Sequence, residues 1–225
     1  MTWLEEALSN PVITDRVPEA TLQTIWMTGL SSLITVLLGL PLGLALVVTA
    51  PGGLRPSRTL NTVLSTVVNI GRSIPFIILM VAIIPLTRLL TGTTFGWQSA
   101  VVPLSVAAIP FFARLVENAV RDVSPGKIEA AQMVGASRLG IVGGVLVREA
   151  LPGIVGGITV TVITLVSYSA MAGALGAEGL GALAINHGYQ RFQADVMVVT
   201  VVVIVVLVQL IQMLGDLAVR LVDHR

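Results

Sequence analysis

From Val196 to Leu214 the chain carries no charged residue, and it holds four further stretches of similar character. Such runs leave few structural options. Crossing the hydrocarbon core takes about 20 predominantly apolar residues in a helix. Hydrocarbon offers no water to a free backbone group, so a segment of this length must satisfy its own N–H and C=O groups by being helical. The five candidate spans run from about Thr24 to Thr49, within Leu60 to Leu90, from about Trp97 to Val116, from about Gly153 to Met171 and from about Val196 to Leu214. Composition agrees: the 225 residues are 55% hydrophobic and 11% charged, with a mean hydropathy of +0.93, whereas a soluble domain carries roughly a quarter charged residues. The expectation is an all-α integral membrane protein of five transmembrane helices forming a single domain, residues 1–225.

The second segment is longer than one crossing needs and shorter than two require. Pro75 and Pro85 interrupt it. The reading adopted is one long helix, kinked at the prolines, with the freed carbonyls turned toward protein. Five spans put the termini on opposite sides of the membrane. With the N-terminus outside, the cytoplasmic regions hold Arg55, Arg58, Arg114, Arg121, Lys127, Arg138, Arg148, Arg220 and Arg225. The outside regions then hold Arg16, Arg88 and Arg191, and Arg72 is left within a span. This bias is the one that sets orientation in multi-pass proteins. The opening Met1-Thr2-Trp3-Leu4-Glu5-Glu6 lacks the basic start of a secretory signal.

Several function classes lose support. No Asp or Glu falls inside a span, whereas ion-coupled carriers commonly place carboxylates at membrane depth. No internal repeat is evident, and no Gly-x-x-x-x-Gly-Lys-Ser/Thr phosphate loop occurs, so the chain is not expected to be an ATPase or any other enzyme. No catalytic set and no metal-ligand cluster stands out. His187 and Arg191 read as residues of an outside loop, with docking of a binding protein as the alternative. The absence of cysteine removes disulfides and thiolate sites.

The longest charged interval, Arg114 to Pro152, is what the bilayer leaves unexplained. Ser124-Pro125 reads as an N-cap with proline at the first helical position. A short helix would then carry Ile128, Ala131, Gln132 and Gly135 along one face, and Gly135 would end it in a left-handed cap. Ser137 would cap a second helix from Arg138 to Arg148, stopped by Leu151-Pro152 ahead of the fourth span. Ala130 and Ala131 remove bulk, so another protein can approach the backbone, and Glu129 offers a charge. A solvated helix–turn–helix loop is the plain alternative.

Glu129-Ala130-Ala131, then Gly135, then an aliphatic Val145, resembles the cytoplasmic signature of ABC importer permeases. The family usually continues with Leu-Pro, whereas this chain has Val147-Arg148 there and Leu151-Pro152 four residues later. The stretches Val68 to Leu79, Ile84 to Arg88, Arg114 to Ala119 and Thr164 to Met171 resemble those of methionine-uptake permeases in particular. The resemblance implies a type I ABC importer permease fold with a cytoplasmic coupling helix, the coupling segment spanning about 124–148. Glu129, Ala130, Ala131 and Gly135 would then contact an ATPase subunit.

Further partners implied by the resemblance are a second copy of the chain in a homodimer, an external substrate-binding lipoprotein and membrane lipid, with no role for nucleic acid. ATP and Mg would be bound by the ATPase, with no cofactor in this chain. The location implied is the bacterial inner membrane. Arg72, Ser73, Pro75, Met171 and Gly173 are candidates for a translocation path or gate. Against them stand a snorkelling Arg72, a packing Met171 and a simple helix end at Gly173, which begins a glycine run continuing through Gly176, Gly179 and Gly181. Arg114 and Glu117 are spaced for a local ion pair. The rival functions are an ABC permease for another amino acid or an osmoprotectant, a secondary carrier needing no ATPase, and a structural or signalling membrane subunit.

Overall fold

Long apolar segments become long helices, and they run past the limits that apolarity alone marks. The computed structural model describes residues 9–223. The opening residues read for a secretory signal, and Arg225, lie outside the described residues. Among those described, all regular structure is helical: α1 (Val17–Thr49), α2 (Arg58–Ser73), α3 (Phe76–Ala82), α4 (Ile84–Thr91), α5 (Trp97–Arg121), α6 (Pro125–Met133), α7 (Arg138–Ile141), α8 (Arg148–Gly173), α9 (Leu180–Leu183) and α10 (Ala194–Val222). Wider π-helical turns precede α1 at Val12–Arg16, lead into α8 at Val142–Val147 and follow α9 at Ala184–Tyr189. The 33 residues of α1 extend about 50 Å at 1.5 Å per residue, well beyond a hydrocarbon core of about 30 Å.

Among the described residues four continuous helical stretches, Val12–Thr49, Trp97–Arg121, Arg138–Gly173 and Ala194–Val222, are long and apolar enough to cross a membrane alone. The bent pair α2 and α3, counted as one span, makes five, as the sequence predicts. The second segment is nevertheless not one kinked helix. It is three helices, and the chain turns by 102° between α2 and α3. The cause is local. Pro75 disfavours the helical region for the residue before it, and Ile74 is extended, with φ −84° and ψ 122°. Pro75 itself, at φ −58° and ψ 134°, then starts a new helix.

A second expectation also fails. Leu151-Pro152 does not stop a helix before the fourth span; α8 runs straight through Pro152. The π turn at Val142–Val147, immediately upstream, widens the helix next to where proline removes a donor and crowds the preceding turn.

The chain divides into two compact units. One comprises the described residues of Met1–Leu33 with Pro75–Ala107 and Val162–Gln212. Its core gathers Ile13, Val17, Ala20, Leu180, Leu183 and Val196, and Phe76 stacks on Tyr168 with ring centroids 4.6 Å apart. The loop before α9 is pinned to α1: Gly179 N donates to Gln23 Oε1 at 3.0 Å and Leu180 N to Thr24 Oγ1 at 3.0 Å.

The other unit comprises Ile34–Ile74, Ala108–Thr161 and the described residues of Met213–Arg225. Its core is Phe112, Val116, Val120, Val123, Leu146, Ala150 and Ile154, with Leu46, Val68 and Ala113 beside it. Here α1 lies directly on α5, because Gly43 lets the backbones meet. A Cβ at Gly43 would lie 2.6 Å from Ala113 O and 2.6 Å from Val116 Cβ, whereas one at Gly29 would meet nothing within 4 Å. Gly43→Ala should therefore destabilise by roughly 1–3 kcal/mol through overpacking, while Gly29→Ala should be neutral or slightly favourable. Thermal midpoints of the two purified variants in one detergent check this, and equal midpoints would contradict the close α1–α5 approach.

Candidate functional site

The polar segment between α5 and α8 folds as a short helix, a tight turn and a second helical start. Ser124 occupies the N-cap position of α6, but its side chain makes no capping bond. The start is set by Pro125 at the first helical position and by Lys127 N donating to Ser124 O at 3.1 Å. The end is the predicted left-handed cap. Gly135 has φ +77°, its N–H donates to Gln132 O at 3.0 Å, and Ala136 N donates to Ala131 O at 3.1 Å. These two bonds satisfy carbonyls that the helix end leaves free, and they require the left-handed conformation that glycine adopts without a Cβ clash. Ser137 then caps α7 by accepting from Gly140 N at 3.1 Å.

The body of the chain holds α6 by one face. Ile128 packs against the core that contains Val123 and Leu146. Ile128 and Gln132 line a groove of about 260 Å³, together with Arg121 and the turn at Pro51 to Leu54. Lys127 Nζ pairs with Glu149 Oε2 in the first turn of α8. The face predicted from Ile128, Ala131, Gln132 and Gly135 is thus turned partly inward, with Ile128 and Ala131 half-buried. Glu129, Ala130 and Gly135 are exposed.

Sequence reasoning missed the most exposed apolar side chains of this segment. Met133 is 83% exposed, Val134 83% and Leu139 85%. Three large apolar residues stand open around one turn, within the longest charged interval of the chain, an exposure of the kind that interaction sites show. The signal was present as apolar residues where lipid is not expected, but only the fold shows that they escape the core.

Next to this segment lies a buried charge cluster. Glu117 is 2% exposed. Its Oε2 accepts from Arg114 Nη1 at 2.5 Å, and its Oε1 accepts from Arg121 Nη2 at 2.7 Å and from Arg121 Nε at 3.1 Å. The ion pair expected from spacing is therefore present, within a larger network.

The residues predicted for a path or gate fall in varied settings. Arg72 is exposed in the last turn of α2, where the helix dipole favours a cation, rather than deep within a continuous span. Ser73 Oγ donates to Asn69 O at 2.8 Å, and Pro75 forms the break. Met171 is 39% exposed. Gly173 is a packing residue: a Cβ there would lie 2.3 Å from Ala182 N, and one at Gly181 would lie 2.2 Å from Ala170 Cα. Gly176 and Gly179 have φ of +96° and +98° and shape the turn after α8. His187 Nδ1 lies 3.1 Å from Gln193 Oε1. Among the described residues, no group of three His, Cys, Asp or Glu side chains is placed to hold a metal.

The sequence model of binding-protein-dependent transport system inner membrane components matches residues 36–225, which include all of this segment. The chain belongs to this family. The permease is 51% identical over 211 residues to a probable D-methionine transport system permease protein MetI of Vibrio cholerae, covering 94% of each chain. It is 45% identical to the corresponding protein of Pasteurella multocida, covering 96% of this chain and 100% of that one. In three dimensions it matches a chain from inward-facing structures of the MetNI methionine ABC transporter with a TM-score of 0.93 and 46% identity, over 96% of this chain and 100% of that one. The resemblance to importer permeases and the type I fold expected from sequence are both borne out.

The cap at Gly135 can be tested on the permease alone. Nothing lies within 4 Å of a Cβ there, so the cost of a side chain is the backbone strain of about 1–2 kcal/mol. Gly135→Val should speed hydrogen exchange at residues 135 and 136, and Gly135→Asn, which tolerates the left-handed region, should lie near the unsubstituted protein. Unchanged protection in Gly135→Val would show that the cap bonds do not hold the turn.

Proposed function

We propose that this chain is the membrane-spanning subunit of an ATP-driven importer for methionine, working with a separate ATPase. The observation that carries the reading is the exposed apolar side chains of Met133, Val134 and Leu139, at and beyond the end of a helix clamped to the body by Ile128 and the Lys127–Glu149 pair. A surface of that kind transmits force: its outer side is free to seat in another protein, and its inner side cannot slip. Glu129, Ala130, Ala131 and Gly135 join it as the coupling site. The small alanines permit close approach, and Glu129 offers a charge to a basic partner residue.

In this reading residues 1–225 act as one permease domain, with the coupling segment at about 124–148. ATP and Mg are bound and used by the ATPase. One coupling segment per chain against a paired ATPase implies two copies of the permease, related by a twofold axis. ATP-driven closure of the ATPases displaces the coupling segments, and the spans alternate access to the two sides by rigid-body movement. The N-terminus lies outside and the C-terminus in the cytoplasm of a bacterial inner membrane, following the distribution of basic residues. An external binding protein delivers the substrate. Arg72, Ser73, Pro75, Met171 and Gly173 remain the candidates for the path or gate, with Gly173 acting through packing.

The methionine assignment rests on the high identity, over nearly full length, to proteins named for methionine transport. Labelled-methionine uptake into vesicles carrying the permease, the ATPase and the binding protein should require ATP and be competed by methionine ahead of other amino acids. Uptake by the permease without any ATPase would overturn the reading. Met133→Glu with Leu139→Glu should reduce co-purification of the ATPase about tenfold or more, the scale of an apolar hot spot. Full retention of the ATPase would remove these residues from the docking surface.

A further inference from the structure

Among the described residues Glu117 is the only charged residue that is buried. A carboxylate taken out of water needs full compensation, and Arg114 and Arg121, on its own helix, already supply it with three hydrogen bonds. The cluster nevertheless reaches further. Arg114 Nη2 donates to Asn69 Oδ1 on α2 at 2.7 Å, across 45 positions of sequence. Its planar guanidinium thus holds Glu117 with one arm and α2 with the other, a geometry that a flexible ammonium does not reproduce.

At the opposite end of the cluster, Arg121 is 56% exposed at its side chain and lines the groove that also contains Ile128 and Gln132 of α6. A line of charge-assisted hydrogen bonds, the stronger kind, therefore runs from the wall of the α6 groove to the last turns of α2. Elsewhere α2 is held by packing of Val68 with Leu46 and Ala113 and of Gly71 against Pro110, and nearer its start by Asn61 Nδ2 donating to Leu46 O on α1. The bond from Arg114 to Asn69 is directional and joins the end of α2 to α5.

We propose that Glu117 and Asn69 are positioning residues for transport, the line Arg121–Glu117–Arg114–Asn69 making the end of α2 follow α5 when the coupling segment is displaced. This rests on the reading of the chain as an ATP-driven importer subunit. It predicts that severing the link uncouples ATP use from uptake while leaving assembly intact.

Asn69 is exposed, so its substitution does not open the core. The experiment compares Asn69→Val, which cannot accept from Arg114, with Asn69→Asp, which can. Both are measured in the complete complex with its ATPase and binding protein, reading labelled-methionine uptake and ATP hydrolysis together. Asn69→Val should assemble and hydrolyse ATP near the unsubstituted rate, yet import about tenfold less per ATP, the factor carried by one hydrogen bond to a charged group. Asn69→Asp should restore the ratio.

An unchanged ratio in Asn69→Val would overturn the proposal. So would equal defects in both variants, or a failure of Asn69→Val to assemble, which would mark the bond as structural only. Failure of the importer reading itself would show differently, as absence of ATP-dependent uptake by the unsubstituted complex.

Discussion

A backbone group in hydrocarbon has no water to turn to, and this constraint governs where the chain can stop being helical. Helix ends, on either side of the hydrocarbon boundary, leave backbone groups to satisfy, and several here do so locally. At the turn after α1, Arg55 N donates to Val48 O at 3.0 Å and Ser57 N to Thr49 O at 3.0 Å, while Asn61 Nδ2 donates to Leu46 O at 2.8 Å. At the end of α6, Gly135 and Ala136 close the last carbonyls. After α8, Ala177 N returns to Ala172 O at 3.2 Å, and Gln23 and Thr24 take the N–H groups of Gly179 and Leu180. The break at Ile74-Pro75 needs less, because proline has no donor to satisfy.

Charge is handled with the same economy. A carboxylate as buried as Glu117 is tolerable only because two guanidinium groups reach it, and both come from the same helix at spacings the helix provides. Charges elsewhere are more open: Lys127 and Glu149 keep side-chain exposures of 54% and 33%, where an ion pair fixes geometry more than it adds stability. In the reading proposed here the first cluster carries displacement along α5 and the second holds α6 to α8. The ion-paired groups of this chain would thus act chiefly in transmission.

Much of this organisation was legible in the sequence, because its causes are local. Apolar length marked the spans, Pro125 marked the start of α6, and Gly135 marked its left-handed end. What escaped depends on neighbours. Pro152 and Pro41 have the same chemistry as Pro75, yet they sit inside helices and Pro75 breaks one, a difference that periodicity does not reveal. The spacing of Arg114 and Glu117 indicated a pair, but the link to Asn69 is tertiary. Ile128 and Met133 look alike in composition, and only the fold decides that one enters the core and the other faces out.

The outward face of the coupling segment is the point on which the functional reading turns, and the chain is well suited to a direct measurement because it contains no cysteine. A single thiol introduced by Leu139→Cys, treated in native membranes with a short thiol-reactive cross-linker, should join the permease to its ATPase subunit. The yield should change when ATP is added. A cross-link to lipid-embedded partners only, or none to the ATPase with or without nucleotide, would contradict docking through this face.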